Sequence, residues 1–199
     1  MGIYLLRHIR TVYNLEHRLS GQSEAPVLHE EKLVLPAQPV HFDFIFCSPA
    51  QRCRATLRQL SESWDLSASR ILFDSNLLER NLGALEGMKR EDAIAQYPQL
   101  FQNGKLLINA VPPHGESMPD LIHRASVVLP QITEHSANCE NTLILSHNQM
   151  LKVLSALLCR TEITDEYWQT RNYQNGVLYP LGNISHLPAL SGSAHRNGN

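Results

Sequence analysis

The apolar positions of this chain fall into two kinds of pattern: short runs that stop at polar residues, and longer stretches that recur every three or four positions. Residues 3–6, Ile-Tyr-Leu-Leu, form a run that ends at Arg7-His8. A buried parallel strand reads this way when it delivers polar residues at its C-terminal end. Residues 42–47 predict a second strand, closed by Ser48-Pro49, and residues 50–63 a helix with Ser48 as its cap and Pro49 in its first turn. Residues 142–145 repeat the pattern. They lead through Ser146-His147 into a helical segment over 150–158, in which Leu151, Leu154, Leu157 and Leu158 share one face.

Between these units, Ser117-Met118-Pro119-Asp120 has the form of a helix start with an acid three residues after the cap. Leu121, Ile122, Ala125, Val128, Leu129 and Ile132 continue it at helical spacing. Pro130 is expected to kink or locally break that helix. Short strands are expected at 71–73 and, after the Asn175-Gly176 turn signal, at 177–179. Strands alternating with helices predict a three-layer α/β/α fold with a mostly parallel central sheet. Residues 20–39 and 81–113 lack clean periodicity and carry many Pro, Gly and polar residues, so they read as loops and a cap. Residues 191–199, small and polar, read as a flexible tail. The remaining 1–190 suit one domain with the cap inserted at 81–113.

Composition narrows the function classes. A chain that is 43% hydrophobic and 18% charged is an ordinary globular protein. Its net charge of −2 gives no global attraction for nucleic acid or an acidic membrane, so anion binding must come from a local group of cations. No apolar run approaches the ~18 residues of a membrane span, and the N-terminus lacks the form of a signal peptide. Cys47, Cys53, Cys139 and Cys159 show neither metal-ligand spacing nor a disulfide framework. Free thiols and a cytoplasmic location are expected. His17, His29, His41, His114, His123 and His135 also lack metal-ligand spacing and read mostly as surface residues, with His114, beside Gly115-Glu116, a candidate for the pocket lining.

In an open α/β sheet, ligands bind beyond the C-terminal ends of the strands. Three predicted strands offer Arg7-His8-Ile9-Arg10, Ser48-Pro49-Ala50-Gln51-Arg52 and Ser146-His147 there. Two histidines and three arginines on one edge would make a focused anion site, because the planar guanidinium fork donates paired hydrogen bonds and keeps its charge. A phosphate, sulfate or carboxylate ligand fits such a site.

The same residues carry a resemblance. Arg7-His8 with Thr11 and Tyr13-Asn14 resembles the Arg-His-Gly motif of the histidine phosphatase superfamily, also called phosphoglycerate-mutase-like. In order along the chain, Gly21-Gln22 with Pro26, Ser48-Pro49 with Arg52 and Thr56, Leu78-Glu79 with Gly83 and Glu86-Gly87, Gly115-Glu116-Ser117, and Leu145-Ser146-His147 resemble its further segments. Six weak matches in the right order over most of the chain make chance agreement improbable.

The resemblance implies a phosphoglycerate-mutase-like fold and three catalytic residues, His8, Glu79 and His147. His8 would attack phosphorus to give a phosphohistidine that water later hydrolyses. Arg7 and Arg52 would disfavour the imidazolium of His8. With His147 they would hold the phosphoryl oxygens, and Glu79 would donate the proton to the leaving oxygen. Asn14 is a further phosphate contact and Arg10 a substrate contact with a solvent-exposed alternative. No metal and no other cofactor is implied. The expected partner is a small phosphorylated substrate, and hydrolysis is favoured over mutase chemistry. Two departures stand against the pattern: Ile9 and Asn148 occupy positions where the family usually has glycine. An Ile9 that crowded the phosphate or tilted His8 would reduce or abolish turnover, and so leave a regulatory or phosphate-binding protein. An Ile9 that filled a gap in the core would leave an active enzyme.

Overall fold

The computed structural model describes residues 2–28 and 30–182. His29 and the tail expected at 191–199 lie outside the described residues. The elements in chain order are β1 (Gly2–Arg7), α1 (Val12–Leu15), β2 (Phe44–Cys47), α2 (Gln51–Ser63), β3 (Arg70–Phe73), α3 (Arg90–Gln96), β4 (Phe101–Gln102), β5 (Lys105–Leu106), α4 (Met118–Ala137), β6 (Asn141–Ser146), α5 (Asn148–Cys159), α6 (Asp165–Thr170) and β7 (Leu178–Gly182). Five strands form one sheet in the order β3-β2-β6-β1-β7. All neighbours are parallel except β7, which runs antiparallel to β1 at the edge. Pro180 is tolerated in β7 because an edge strand need not donate every N–H to the ladder.

The alternation of each strand divides the core between two faces. Ile3, Leu5, Phe46 and Ile144 pack with Leu121, Ile132, Leu151 and Leu154 of α4 and α5. Leu6, Ile45, Cys47, Leu143 and Leu145 pack on the other face with Cys53, Leu57 and Leu60 of α2. Helices on both faces of a mostly parallel sheet make the three-layer α/β/α architecture that the sequence predicts. Burying a leucine such as Leu121 or Leu151 stabilises the fold by roughly 2 kcal/mol relative to leaving it in water.

Three local expectations are corrected. Helix α2 begins after Ala50, which has no side-chain cap, so Pro49 lies outside the helix and Ser48 does not cap it. The Ser48 hydroxyl faces His147 instead, and the Ala50 N–H reaches it only at 3.4 Å. Helix α4 runs unbroken through Pro130, with Ser117 and Asp120 forming the predicted capping box. Pro130 and Ser126 are both exposed, so water can satisfy the Ser126 carbonyl that the proline leaves without a donor. Finally, residues 81–113 are not merely loop. They contain α3, the β4–β5 hairpin and two 3₁₀ turns, with Leu82, Leu85, Ala93, Leu100 and Ala110 closing over Leu19 in a separate small core. Elements of one or two turns are too short to show a period.

Candidate active site

Strand register decides which polar residues meet. Arg7 of β1 lies opposite Ser146 of β6, and Cys47 of β2 opposite Leu145, so the three strands end level. The ladder continues one residue further: the His8 N–H donates to the Ser146 carbonyl at 3.1 Å and the Ser48 N–H to Leu145 at 2.9 Å. This delivers His8, Ser48 and His147 side by side, with the two imidazole centroids 5.2 Å apart.

His8 is 4% exposed. Its Nδ1 lies 2.6 Å from the Ile9 carbonyl. A carbonyl only accepts, so Nδ1 carries the proton and Nε2 keeps a free lone pair. Burial, and then the charges of Arg7 and Arg52, hold the His8 pKa well below the ordinary 6.5. The ring is therefore neutral at neutral pH. Burial acts on His147 in the same direction, followed by Arg52 and His8.

Arg52 reaches the site from the first turn of α2. Its Nε donates to His147 Nδ1 at 3.1 Å, Nη1 to the Ser23 carbonyl at 2.8 Å and Nη2 to the Gly21 carbonyl at 2.7 Å. Arginine never accepts, so His147 Nδ1 is bare and its Nε2–H donates to Ser48 Oγ at 2.8 Å. Both ring nitrogens of His147 are thus engaged in holding Arg52 and Ser48. Gly21 is required where it stands. Its φ is +52°, and a Cβ there would lie 2.1 Å from the Glu86 Oε1 that accepts the Gln22 N–H. Arg7 donates through Nη1 to the Tyr173 carbonyl at 2.9 Å, and its buried Nε has no partner.

Glu79 stands at the start of α5. Its carboxylate accepts the N–H groups of Arg80 at 2.9 Å and of Gln149 and Met150 at 3.2 Å, two of them orphan donors of the first helical turn. The segment is clasped from behind by Arg124. It pairs with both oxygens of Glu116 at 2.8 and 2.9 Å and donates to the carbonyls of Asn76, Leu78 and Glu79. Two candidates are used differently. Arg10 is exposed and ion-paired with Glu31 at the surface, which is its solvated alternative. The Asn14 carbonyl oxygen accepts from the Thr11 N–H and hydroxyl in the capping box of α1, leaving only its amide N–H groups for a ligand.

The sequence missed what the segment after α6 contributes. Asn175 Nδ2 donates to the His8 carbonyl at 2.8 Å, the Gly176 N–H to that of Arg7 at 2.9 Å, and the Tyr173 carbonyl receives Arg7. Asn148 accepts the Tyr173 N–H at 2.9 Å through its side-chain oxygen and so ties this segment to the first residue of α5. Asn175-Gly176 gave a turn signal, but nothing local says that the turn lies against His8. Among the described residues no group of three or more His, Cys, Asp or Glu is placed to hold a metal ion. The four cysteines are free. His17, His41, His114 and His123 are exposed, whereas His135 packs its ring 4.2 Å from that of Phe44.

The profile of the histidine phosphatase superfamily (branch 1) matches residues 3–182. The chain is 28% identical over 195 residues to a 2,3-bisphosphoglycerate-dependent phosphoglycerate mutase of Azorhizobium caulinodans, covering 90% of this chain and 92% of that one. Its fold is similar to the alpha-ribazole phosphatase of Shigella flexneri, with a TM-score of 0.70, 21% identity and coverage of 90% and 89%. It is equally similar to a mycobacterial glucosyl-3-phosphoglycerate phosphatase solved with VO3, with a TM-score of 0.70, 17% identity and 90% of each chain covered.

Proposed function

The chain belongs to the histidine phosphatase superfamily, branch 1, and on that premise we propose that it is a metal-independent hydrolase of small phosphomonoesters that works through a phosphohistidine on His8. The observation that carries this reading is the tautomer of His8: Nδ1–H given to Ile9, Nε2 bare, the ring buried and neutral between two arginines. Nε2 forms the bond to phosphorus as the ester oxygen leaves with the electron pair of the broken P–O bond. Glu79 hands a proton to the leaving oxygen. In the second half water attacks phosphorus, its proton goes to Glu79, and Nε2 is released. The unpartnered Nε of Arg7 and the two N–H groups that Arg52 keeps, three of its five being used, meet the charge on the transferring group. His147 acts through Arg52, whose plane it fixes.

Hydrolysis is preferred to mutase chemistry because the cap over residues 81–113 is compact, and a mutase must keep water out between two transfers. The name of the Azorhizobium relative supports the mutase as the second reading. Four free cysteines suit a reducing cytoplasm. The test is a panel of phosphomonoesters assayed in buffer containing chelator, with His8→Ala alongside and the phosphoenzyme trapped by acid-labile, base-stable label. Turnover by the wild type and none by His8→Ala is expected. Near-normal turnover by the variant, or activity that only a divalent metal restores, would overturn the reading, and interconversion of phosphate positions without net release would favour the mutase.

A further inference from the structure

Glu79 stands on a stretch of backbone that no ladder supports. Residues 78–82 lie between two 3₁₀ turns, Ser75–Leu77 and Gly83–Leu85, and pair with no strand. Backbone N–H and C=O groups on such a stretch each need a partner of their own, so side chains have to place it. Those partners converge on Glu116 and Arg124, eight positions apart.

All five N–H groups of Arg124 are engaged. Nε and one Nη2 proton meet the two Glu116 oxygens, both Nη1 protons go to the Asn76 and Leu78 carbonyls, and the other Nη2 proton goes to the Glu79 carbonyl. Glu116 holds the next two residues. Its carboxylate accepts the Asn81 N–H at 3.1 Å, its own N–H donates to the Asn81 carbonyl at 2.9 Å, and its carbonyl accepts from Arg80 Nε at 2.9 Å. The Glu79 carbonyl takes a second bond from Gln22 Nε2 at 3.0 Å, which fills both its lone pairs.

The pair is largely buried, with the Arg124 side chain 18% and that of Glu116 12% exposed. Taking two charges out of water costs several kcal/mol per ion, and a well-packed apolar pair in their place is often as stable. Stability alone therefore does not call for these residues. An apolar pair could not receive three carbonyls and an N–H in fixed directions, whereas a planar guanidinium locked by a bidentate carboxylate can. With no N–H left over, Arg124 has nothing to offer a ligand.

We propose that Arg124 and Glu116 are positioning residues for the proton donor: they hold residues 78–81 so that the Glu79 carboxyl meets the leaving oxygen, and neither touches the substrate. The inference rests on the hydrolase reading with Glu79 as its donor. The leaving group gives it a chemical signature. An alkoxide departs only as it gains a proton, whereas p-nitrophenolate departs without one, so a displaced donor slows alkyl esters and spares the activated aryl ester. A displacement of ~1 Å is enough to cost about 10²-fold.

The test is kcat/KM, which reports the transfer to His8, for p-nitrophenyl, phenyl and benzyl phosphate, with Glu79→Gln as the reference. Arg124→Lys keeps the charge but has no fork, and Glu116→Gln keeps the shape but loses the charge. In both, benzyl phosphate is expected to lose about tenfold more than p-nitrophenyl phosphate, with phenyl phosphate between them. Inhibition by inorganic phosphate should be unchanged, because Arg7, His8 and Arg52 make no hydrogen bond to the pair. Equal losses on the three esters in both variants, or weakened phosphate inhibition alongside them, overturn the positioning role. If Glu79→Gln discriminates among the esters and the other two variants do not, the pair is rejected and the donor stands. If Glu79→Gln falls equally on all three, Glu79 is not the donor and the role falls with it. A readout without turnover is the amide resonances of Gln149 and Met150, whose N–H groups the Glu79 carboxylate accepts. They should move in Arg124→Lys and, where that variant does not fold, in Glu116→Gln; amides that stay in place count against the pair. Movement in a protein that hydrolyses no ester would keep the positioning and reject the hydrolase.

Discussion

Ile9 shows how a single residue can look wrong in sequence and fit in the fold. Its φ lies outside the left-handed region, so glycine is not needed there, and its N–H donates to Thr56 Oγ1 at 2.9 Å while its carbonyl holds the His8 ring. The side chain is 4% exposed and bounds a hollow beside Ala55 and Gln59 of α2; its Cγ2 lies 3.6 Å from where a Cβ on Gly176 would stand. Ile9→Gly is therefore expected to lower stability by about 2–5 kcal/mol and to leave turnover no faster, because a cavity opens behind the nucleophile. Thermal melts and kinetics on one preparation check this, and a stable, markedly faster variant would show that Ile9 crowds the phosphate. Arg7, His8, Arg52, Glu79 and His147 were all legible as motif residues, and register brings the two histidines and two arginines together. Tyr173 and Asn175 were not legible, since they meet Arg7 and His8 across 166 and 167 positions of chain.

Elements were legible in proportion to their length. α4 spans 20 residues and α5 spans 12, and both showed their apolar face in sequence, whereas α3 spans 7 and did not. Pro130 does not break α4, because the cost of a proline depends on where the freed carbonyl points, and that of Ser126 lies on an exposed face. The missing hydrogen bond and the ring's crowding of the preceding turn still weaken the helix. Pro130→Ala should thus stabilise the protein by about 1–3 kcal/mol, less than the full helix penalty because the unfolded chain also gains freedom. Urea denaturation would measure it, and a loss of stability would mean that the proline ring supports packing that the exposed position does not suggest. The start of α2 was misplaced for a different reason: Ser48 has the chemistry of a cap, and His147, 99 residues away, competes for its hydroxyl.

Across the whole molecule, burying two neutral histidines at the end of a sheet links stability to pH. The folded pKa values of His8 and His147 lie well below 6.5, so as pH falls through 6.5 the unfolded chain takes up protons that the folded one refuses. Stability is therefore full above the unfolded value and falls as pH drops toward the folded values, by up to about 1.4 kcal/mol per pH unit for each histidine. Urea denaturation at pH 7, 6 and 5 should show this loss, with a shallower slope in His8→Ala; equal slopes would remove His8 from the account. Read alone, the sequence determined the α/β class, the parallel strands, the long helices and the order of the motifs, because hydrophobic period, turn chemistry and residue type are local properties that survive without a fold. Only the tertiary structure decided the strand order β3-β2-β6-β1-β7, the antiparallel edge, the tautomer of His147 and the hold of Tyr173 and Asn175 on Arg7 and His8. Those depend on which distant residues share a hydrogen bond or a burial, and pairings across a hundred or more residues leave no periodic trace along the chain.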